Sequence, residues 1–265
     1  MVTDLKNSEE LLAFAELLAD AARDLVREAN ATPSEIIYKS DGSPVTDLDR
    51  RIEERMRSLI DDRYPHHGIH GEEFASRDLD AELVWVLDPI DGTAPFLAGI
   101  PVYGTLIGLA HHGKPFLGVI EHPATDERWV GIAGQFARHN GQAVQVRSCD
   151  QLANAFMTNS NPDFLNPTQM AAFSALRAQV RYSIYGASCY AYAMLASGRN
   201  DLAIDAGFDP FDVFATIAVI EGAGGIVSDW SGQAIDINWS GEVIASGCEH
   251  IHNQALEILA NNRAP

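Results

Sequence analysis

Apolar residues near the start of the chain recur at helical spacing. In residues 11–26 they fall at every third or fourth position, behind a possible cap at Ser8, which predicts a first helix ending before Pro33. A second helix is predicted from near Thr46 to the stop signal at Tyr64 and Pro65. Beyond residue 84 the pattern changes to short β-rich runs at 84–87, 105–109, 116–120 and 128–132. Turn signals at 112–113 and 140–141 predict hairpins in an antiparallel sheet.

After about residue 150 the predicted strands and helices alternate. Helices are expected at 167–178, 188–196, 210–221 and 250–261, and strands at 155–157, 180–184, 202–205, 226–227 and 243–245. This alternation is typical of a layered α/β arrangement. The fold class is therefore predicted to be α+β followed by α/β. The expected division is an N-terminal α+β subdomain at residues 1–145 and a C-terminal α/β subdomain at residues 146–265.

Composition limits the partners that the protein can have. The 265 residues include 18 Lys and Arg against 37 Asp and Glu, a formal charge of −19. Nucleic acids and anionic membranes require basic patches, so neither is an expected partner. The three cysteines form no Cys-x-x-Cys motif, and neither a signal-peptide pattern nor a membrane-length apolar run occurs. The expected compartment is the cytoplasm.

The chemistry is predicted to centre on residues 85–93, which read WVLDPIDGT. An apolar strand is expected to end at Leu87, which would place Asp88 and Asp91 together on a tight turn. Two carboxylates that close repel each other unless a cation or proton lies between them. Hard cations such as Mg²⁺ prefer oxygen ligands, and the thiol and imidazole ligands typical of zinc are missing from this segment.

Three more acidic residues stand at the ends of predicted elements. Asp49 fits a capping position of the second helix, Glu72 lies in a loop, and Asp212 follows the Asp-Pro start of another helix. Each could have only that local role. Together with Asp88 and Asp91, they could instead hold two cations about 4 Å apart for phosphoryl hydrolysis. The amides of Gly92 and Thr93, at the start of a short helix, could face an anion.

These motifs resemble those of the inositol monophosphatase family. Residues 85–93 are accompanied by Gly-Glu-Glu at 71–73 upstream and by Asp212 and Glu-Gly-Ala-Gly-Gly at 221–225 downstream. The resemblance spans nearly the whole chain. It implies a layered αβαβα sandwich like that of fructose-1,6-bisphosphatase, a homodimer, dependence on Mg²⁺, sensitivity to Li⁺ and a small phosphorylated metabolite as substrate.

The resemblance also implies a role for each matching residue. Glu72, Asp88 and the Ile90 carbonyl would hold the Mg²⁺ that activates water, and Asp88, Asp91 and Asp212 would hold a second one near the leaving oxygen. A third, weaker Mg²⁺ would lie near Glu72. The attacking water would be oriented or deprotonated by Thr93 and Asp49. The phosphate would be bound by the amides of Gly92 and Thr93.

The substrate alcohol is expected to contact Ser188 and Asp205. Two stretches, residues 99–107 and 189–196, resemble the histidinol-phosphate phosphatase branch of the family, and an anionic Asp205 would suit a cationic substrate. That branch usually has Asp where this chain has Ser188, and Arg where it has Ala94.

Several alternatives remain open from the sequence. Within the family, the substrate could be inositol 1-phosphate or a 3′(2′),5′-bisphosphate nucleotide. A haloacid-dehalogenase-like phosphatase would require Asp-x-Asp, which Asp88 and Asp91 do not form. A silent metal- or phosphate-binding module would be expected to lack some of the five carboxylates.

Overall fold

The structure is a computed structural model that describes residues 7–29, 36–38 and 44–263. Within these ranges the α-helices are α1 (Ser8–Ala29), α2 (Asp47–Arg63), α3 (Thr93–Ala98), α4 (Pro167–Arg177), α5 (Ser188–Ala196), α6 (Pro210–Gly222) and α7 (Glu249–Asn261). All of these helices were predicted from the sequence. No helix within the described ranges is long and apolar enough to cross a membrane.

The first large sheet has seven strands in the order β3-β4-β5-β6-β7-β8-β9. They are β3 (Gly68–Gly71), β4 (Leu83–Asp91), β5 (Gly104–His111), β6 (Lys114–His122), β7 (Glu127–Ile132), β8 (Phe136–His139) and β9 (Gln142–Ala143). Strand β3 pairs parallel with β4, and every other neighbouring pair is antiparallel. The predicted hairpins at residues 112–113 and 140–141 are confirmed.

The second large sheet has five strands in the order β11-β10-β12-β14-β13. They are β10 (Phe156–Asn159), β11 (Tyr182–Tyr185), β12 (Leu202–Phe208), β13 (Ile226–Ser228) and β14 (Gly241–Ser246). The sheet is mixed, because β10 runs parallel to β11 and β12, whereas β14 is antiparallel to β12 and β13. A separate hairpin of β1 (Ile36–Tyr38) and β2 (Pro44–Thr46) precedes α2.

The two sheets and three helical layers form an αβαβα sandwich, as predicted. The alternating side chains of β4 show the layering: Trp85 and Leu87 pack with α1 and α2, whereas Val84 and Val86 pack with α5, α6 and the second sheet. Helices α4 and α7 cover the other face of the second sheet. The central layer is therefore apolar on both sides, which explains why α6 is buried almost throughout.

Helix α6 lies on a row of glycines that crosses the first sheet. Gly108, Gly118 and Gly131 are paired neighbours on β5, β6 and β7. A Cβ atom on Gly118 would lie 2.2 Å from the Ala215 carbonyl oxygen, and one on Gly131 would lie 2.7 Å from Val219 Cα. Only hydrogen atoms at these positions allow the helix backbone to approach the sheet so closely. The glycine row thereby sets the distance between α6 and the first sheet.

One expectation about local structure was wrong. Strand β4 does not end at Leu87, because its pairing with β5 continues through Asp88 and resumes at Asp91 after a register shift. The carboxylates thus lie on a β-bulge within a strand rather than on a turn beyond it. In addition, no strand was predicted at the positions of β1, β2, β3, β8 and β9, although the turn between β8 and β9 was predicted. The division at residue 145 remains a proposal.

Candidate metal centre

The bulge in β4 places two carboxylates on one side of the sheet. Asp88 pairs with Leu106 and Asp91 with Gly104, so two residues of β4 lie opposite the single residue Thr105 of β5. The Thr105 hydroxyl donates a hydrogen bond of 2.7 Å to the Pro89 carbonyl inside the bulge. The Pro89 carbonyl lies in the bulge, outside the regular hydrogen bonding between β4 and β5. The bond from Thr105 on β5 therefore stabilises the bulge.

The third carboxylate comes from the first turn of α6. Asp209 is the N-cap of that helix, Pro210 follows in the first turn, and Asp212 completes a capping box. Asp212 Oδ2 accepts a hydrogen bond of 2.7 Å from the Asp209 amide. The local role predicted for Asp212 is therefore real, and it fixes this side chain at the end of the helix that lies on the glycine row.

Asp88, Asp91 and Asp212 converge although they come from both halves of the sequence. One oxygen atom from each lies within 4.8 Å of the other two. Burial raises the pKa of Asp88 well above its usual value, and the negative charges of Glu72, Asp91 and Asp212 raise it further. Burial and neighbouring acids also raise the pKa of Asp212. Both shifts have the direction expected for carboxylates that are buried close to other acids.

The donor atoms of this cluster fit a hard divalent cation. Asp88 is 1% exposed, and its Oδ1 has no hydrogen-bond partner among the described residues, although such a buried oxygen is costly to leave unpaired. Glu72 follows β3, and its backbone amide donates a hydrogen bond of 3.2 Å to the Leu87 carbonyl. This bond holds the backbone of Glu72 against β4, next to Asp88. The Ile90 carbonyl accepts from Thr93 Oγ1 at 3.1 Å and keeps a second lone pair.

The N-terminus of α5 completes one wall of the centre, as expected for the helix that begins at Ser188. The Cys189 amide donates a hydrogen bond of 2.7 Å to Asp91 Oδ2, and it opposes the rise in the pKa of Asp91 caused by burial. Gly92 has φ of 80°, and a Cβ there would lie 2.8 Å from Ser188 Oγ. Ser188 is thus adjacent to the start of α3, and its contact with a substrate stays a prediction.

Asp49 combines the capping role with an unused oxygen. Its Oδ2 accepts hydrogen bonds from the Thr46 amide at 2.8 Å and the Thr46 hydroxyl at 2.6 Å, which forms a capping box on α2. Its Oδ1 is buried and has no partner in the described part of the chain. Burial raises the pKa of Asp49, and its charge in turn raises the pKa of Asp88. Capping therefore leaves one oxygen of Asp49 available.

Asp205 lies in β12 and is held by an extensive set of hydrogen bonds. It is 1% exposed and accepts from the Tyr192 hydroxyl at 2.8 Å, the Ser160 amide at 2.8 Å and the Asn159 side chain at 3.0 Å. Burial raises the pKa of Asp205 to about 7 despite these donors. The predicted contact between Asp205 and a substrate stays a prediction, and Tyr192 is a partner that the sequence did not reveal.

Comparisons with known proteins agree with this geometry. The model of the inositol monophosphatase family matches residues 7–264. The chain is 42% identical over 260 residues to "Bifunctional phosphatase IMPL2, chloroplastic" of Arabidopsis thaliana, covering 95% of this chain and 75% of that protein. It is 34% identical to a histidinol-phosphatase of Chlorobaculum parvum, covering 80% and 82% of the two chains.

A solved structure also matches the whole sandwich. An inositol monophosphatase from Zymomonas mobilis superposes with a TM-score of 0.87 at 38% identity, covering 95% of this chain and 98% of that one. The match therefore extends over nearly the whole of both chains. This chain belongs to the inositol monophosphatase family and is a phosphoric monoester hydrolase.

Proposed function

We propose that the protein hydrolyses a small phosphate monoester with Mg²⁺, and that histidinol phosphate is its preferred substrate. The observation that carries the proposal is the buried Asp88 oxygen without a partner, in a cluster of three carboxylates within 4.8 Å. Such a cluster is stable at neutral pH when cations neutralise it. Oxygen donors alone favour Mg²⁺ over softer metals.

Two or three Mg²⁺ ions would be held by the residues of this centre. Glu72, Asp88 and the Ile90 carbonyl would form one site, Asp88, Asp91 and Asp212 would form the second, and Glu72 would contribute to a weaker third. When bound, these ions would supply Lewis-acid charge for the phosphate and the leaving oxygen. The negative charge that would bind these ions is in position before the substrate binds, because β4, α5 and α6 hold the carboxylates in place.

The protein's own groups can position and deprotonate the attacking water. Thr93 Oγ1 donates a hydrogen bond to the Ile90 carbonyl, so the lone pairs of the hydroxyl oxygen can accept a hydrogen bond from water. The raised pKa of Asp49 makes its free oxygen a stronger proton acceptor than an ordinary carboxylate. Glu72 adds negative charge near Asp88 and Asp212. The amides of Gly92 and Thr93 begin α3 and would donate to the phosphate oxygens.

Asp49→Asn is expected to lower kcat by about 10²-fold, the lower end of what a general base contributes. The introduced amide retains an oxygen that can accept from the Thr46 amide, so thermal stability should change little. Thr46→Ala is the matched control, because it weakens the cap by about 1 kcal/mol and leaves the Asp49 carboxylate in place. If the Asp49→Asn variant lost stability but kept its turnover, Asp49 would be a capping residue only.

The choice of histidinol phosphate rests on two stretches that border the metal centre. Residues 99–107 comprise the connection from α3 to β5 and the first four residues of β5. Residues 189–196 belong to α5, whose Tyr192 hydroxyl donates a hydrogen bond to Asp205. Both resemble the histidinol-phosphate phosphatase branch, and two relatives, 34% and 33% identical, are named histidinol-phosphatase. A buried acid close to the centre suits a substrate that carries a positive charge.

Inositol 1-phosphate is the second candidate. Ser188 replaces the carboxylate that the histidinol-phosphate branch usually has, and it lies beside Gly92 at the centre. A serine hydroxyl can bind a polyol as donor and acceptor. Relatives named as inositol monophosphatases are about as similar, at 32% and 30% identity. A 3′(2′),5′-bisphosphate nucleotide is a weaker alternative, which no feature of the described residues favours.

Initial rates of phosphate release should separate these substrates. With saturating Mg²⁺, kcat/KM for histidinol phosphate is expected to exceed that for inositol 1-phosphate by at least about tenfold, or about 1.4 kcal/mol. Adenosine 3′,5′-bisphosphate and fructose 1,6-bisphosphate serve as further comparisons. A higher value for inositol 1-phosphate would reject the substrate proposal and leave the phosphatase assignment intact. Chelation of Mg²⁺ should abolish every rate.

The proposal extends to a cytoplasmic homodimer that Li⁺ inhibits. The edge strand β11 supports self-association, because Tyr182, Ile184 and Tyr185 on it are 63%, 48% and 42% exposed. A strand edge with large exposed apolar side chains is a typical contact surface. Phe164, which is 57% exposed, adds another large apolar group to the protein surface.

A further inference from the structure

A second cluster of metal-binding side chains lies at the opposite end of β4 from the catalytic carboxylates. Glu82 immediately precedes this strand, whereas Asp88 and Asp91 are near its end. With about 3.4 Å per strand residue, the separation along the strand is about 20 Å. The cluster consists of Glu82, His111 and His112, and it does not belong to the phosphatase site.

Strand pairing and a tight turn bring these three residues together. His111 ends β5 opposite Leu83, and the His112 amide donates a hydrogen bond of 2.8 Å to the Glu82 carbonyl. His112 and Gly113 form the two-residue turn to β6, with φ of 50° and 75°. Consecutive strand residues normally point to opposite faces, but this turn brings the two imidazole rings to 4.3 Å between centroids.

The distances between the donor atoms match those around a shared ion. One donor atom from each of the three residues lies within 4.8 Å of the other two, and His111 Nε2 is 3.5 Å from Glu82 Oε1. This separation is too long for an ordinary hydrogen bond. Two ligands each about 2.0–2.1 Å from a tetrahedral ion are about 3.3 Å apart, so the Glu82–His111 pair needs only a small adjustment.

The His111 side chain is held in place by the surrounding protein. Its side chain is 8% exposed, and its ring packs 6.0 Å from that of Phe116. Glu82 and His112 are exposed, so an ion from solvent can reach the buried ring. His67 is also nearby, but its Nδ1 accepts a hydrogen bond from Trp85 Nε1, which leaves the proton on Nε2 and excludes this residue as a ligand in the neutral form.

We propose that Glu82, His111 and His112 bind Zn²⁺. Two imidazoles and one carboxylate are the donor set of zinc and of neighbouring transition metals, whereas Mg²⁺ prefers oxygen ligands. The net charge of −19 favours cations at the protein surface. The ion would join the start of β4 to the β5–β6 turn, and binding to the folded state would raise the thermal stability.

Zinc titration of the full-length protein in saturating Mg²⁺ tests this site. His112→Asn is the key variant, because Asn tolerates positive φ and Asn-Gly favours the same turn. It is expected to weaken Zn²⁺ binding by at least about tenfold, the smallest loss expected even for a residue that only supports a ligand. His250→Asn is the matched control, since His250 is exposed on α7, and it should bind Zn²⁺ as the wild type does.

Electron paramagnetic resonance with substoichiometric Cu²⁺ identifies the ligands independently of enzyme activity. Cu²⁺ favours imidazole, and nitrogen coupling cannot come from the carboxylates of the catalytic centre. Two coupled nitrogens are expected in the wild type and His250→Asn, and one in His112→Asn. An unchanged spectrum in His112→Asn, or no nitrogen coupling in the wild type, would overturn the proposal. Because no readout depends on turnover, a failed phosphatase assay would leave this result unaffected.

Discussion

Asp91→Asn is expected to lower kcat/KM for Mg²⁺-dependent phosphate release by at least about 100-fold, which corresponds to about 2.7 kcal/mol. The substitution removes one charge from the three carboxylates within 4.8 Å of one another, while the amide oxygen can still accept from the Cys189 amide. Asp150→Asn, at an exposed position, is the matched control. Retention of more than about a tenth of the wild-type rate would contradict the ligand role of Asp91.

The same variant should not lose stability when the metal is removed. Burial raises the pKa of Asp91 above its ordinary 3.8, so the folded state binds this proton more tightly than the unfolded state. This contribution favours the metal-free fold at low pH and is lost as the pH rises from about 4 through the raised pKa. The Asp91→Asn variant lacks the contribution of this group, whereas Asp88 and Asp212 keep theirs. At pH 8 with a chelator, its unfolding free energy should equal or exceed that of the wild type, as measured by urea denaturation.

Gly118→Ala is expected to reduce the unfolding free energy by about 3 kcal/mol, the upper end of typical overpacking costs. The new methyl group would lie 2.2 Å from the Ala215 carbonyl oxygen, which is helix backbone and cannot rotate away as a side chain would. Helix α6 must therefore move from the sheet, and Asp212 must move with it. Urea unfolding measures the first effect, and Mg²⁺-dependent turnover at low temperature measures the second.

Gly141→Asn is the control for Gly118→Ala. No atom lies within 4 Å of a Cβ at Gly141, and Asn tolerates its φ of 78° better than other residues. Its unfolding free energy should therefore stay within about 1 kcal/mol of the wild type. A loss at Gly118 no larger than the loss at Gly141 would show that α6 is not packed directly on the glycine row.

The sequence predicted elements whose signals are local. Asp209, Pro210 and Asp212 encode the start of α6 by themselves, and the structure has that capping box. The bulge in β4 was not predicted, because the apolar run stops at Leu87 while hydrogen bonding to β5 continues to Asp91. Strand β3 was missed for a related reason: it depends on parallel pairing with β4 rather than on its own four residues.

The candidate site shows the same difference between local sequence signals and contacts between distant residues. The carboxylates were recognised because their types and order resemble a family, and Asp88, Asp91 and Asp212 do converge. The hydrogen bond from the Cys189 amide to Asp91 was not predictable in this way, since it joins residues 98 positions apart through a backbone group that any side chain could carry. Likewise, nothing near Asp205 in the sequence indicates that Ser160 is its donor.

The position of α6 has a consequence for synthesis of the protein. The strands of the first sheet lie within residues 68–143, whereas the helix that covers its glycine row comes from residues 210–222. On the ribosome, this sheet emerges well before its covering helix, so one apolar face stays open to water and to other nascent chains. With Asp212 as the metal ligand proposed above, catalytic competence has to wait for the same helix. On that assignment, protection from aggregation and enzymatic activity are acquired together, late in translation.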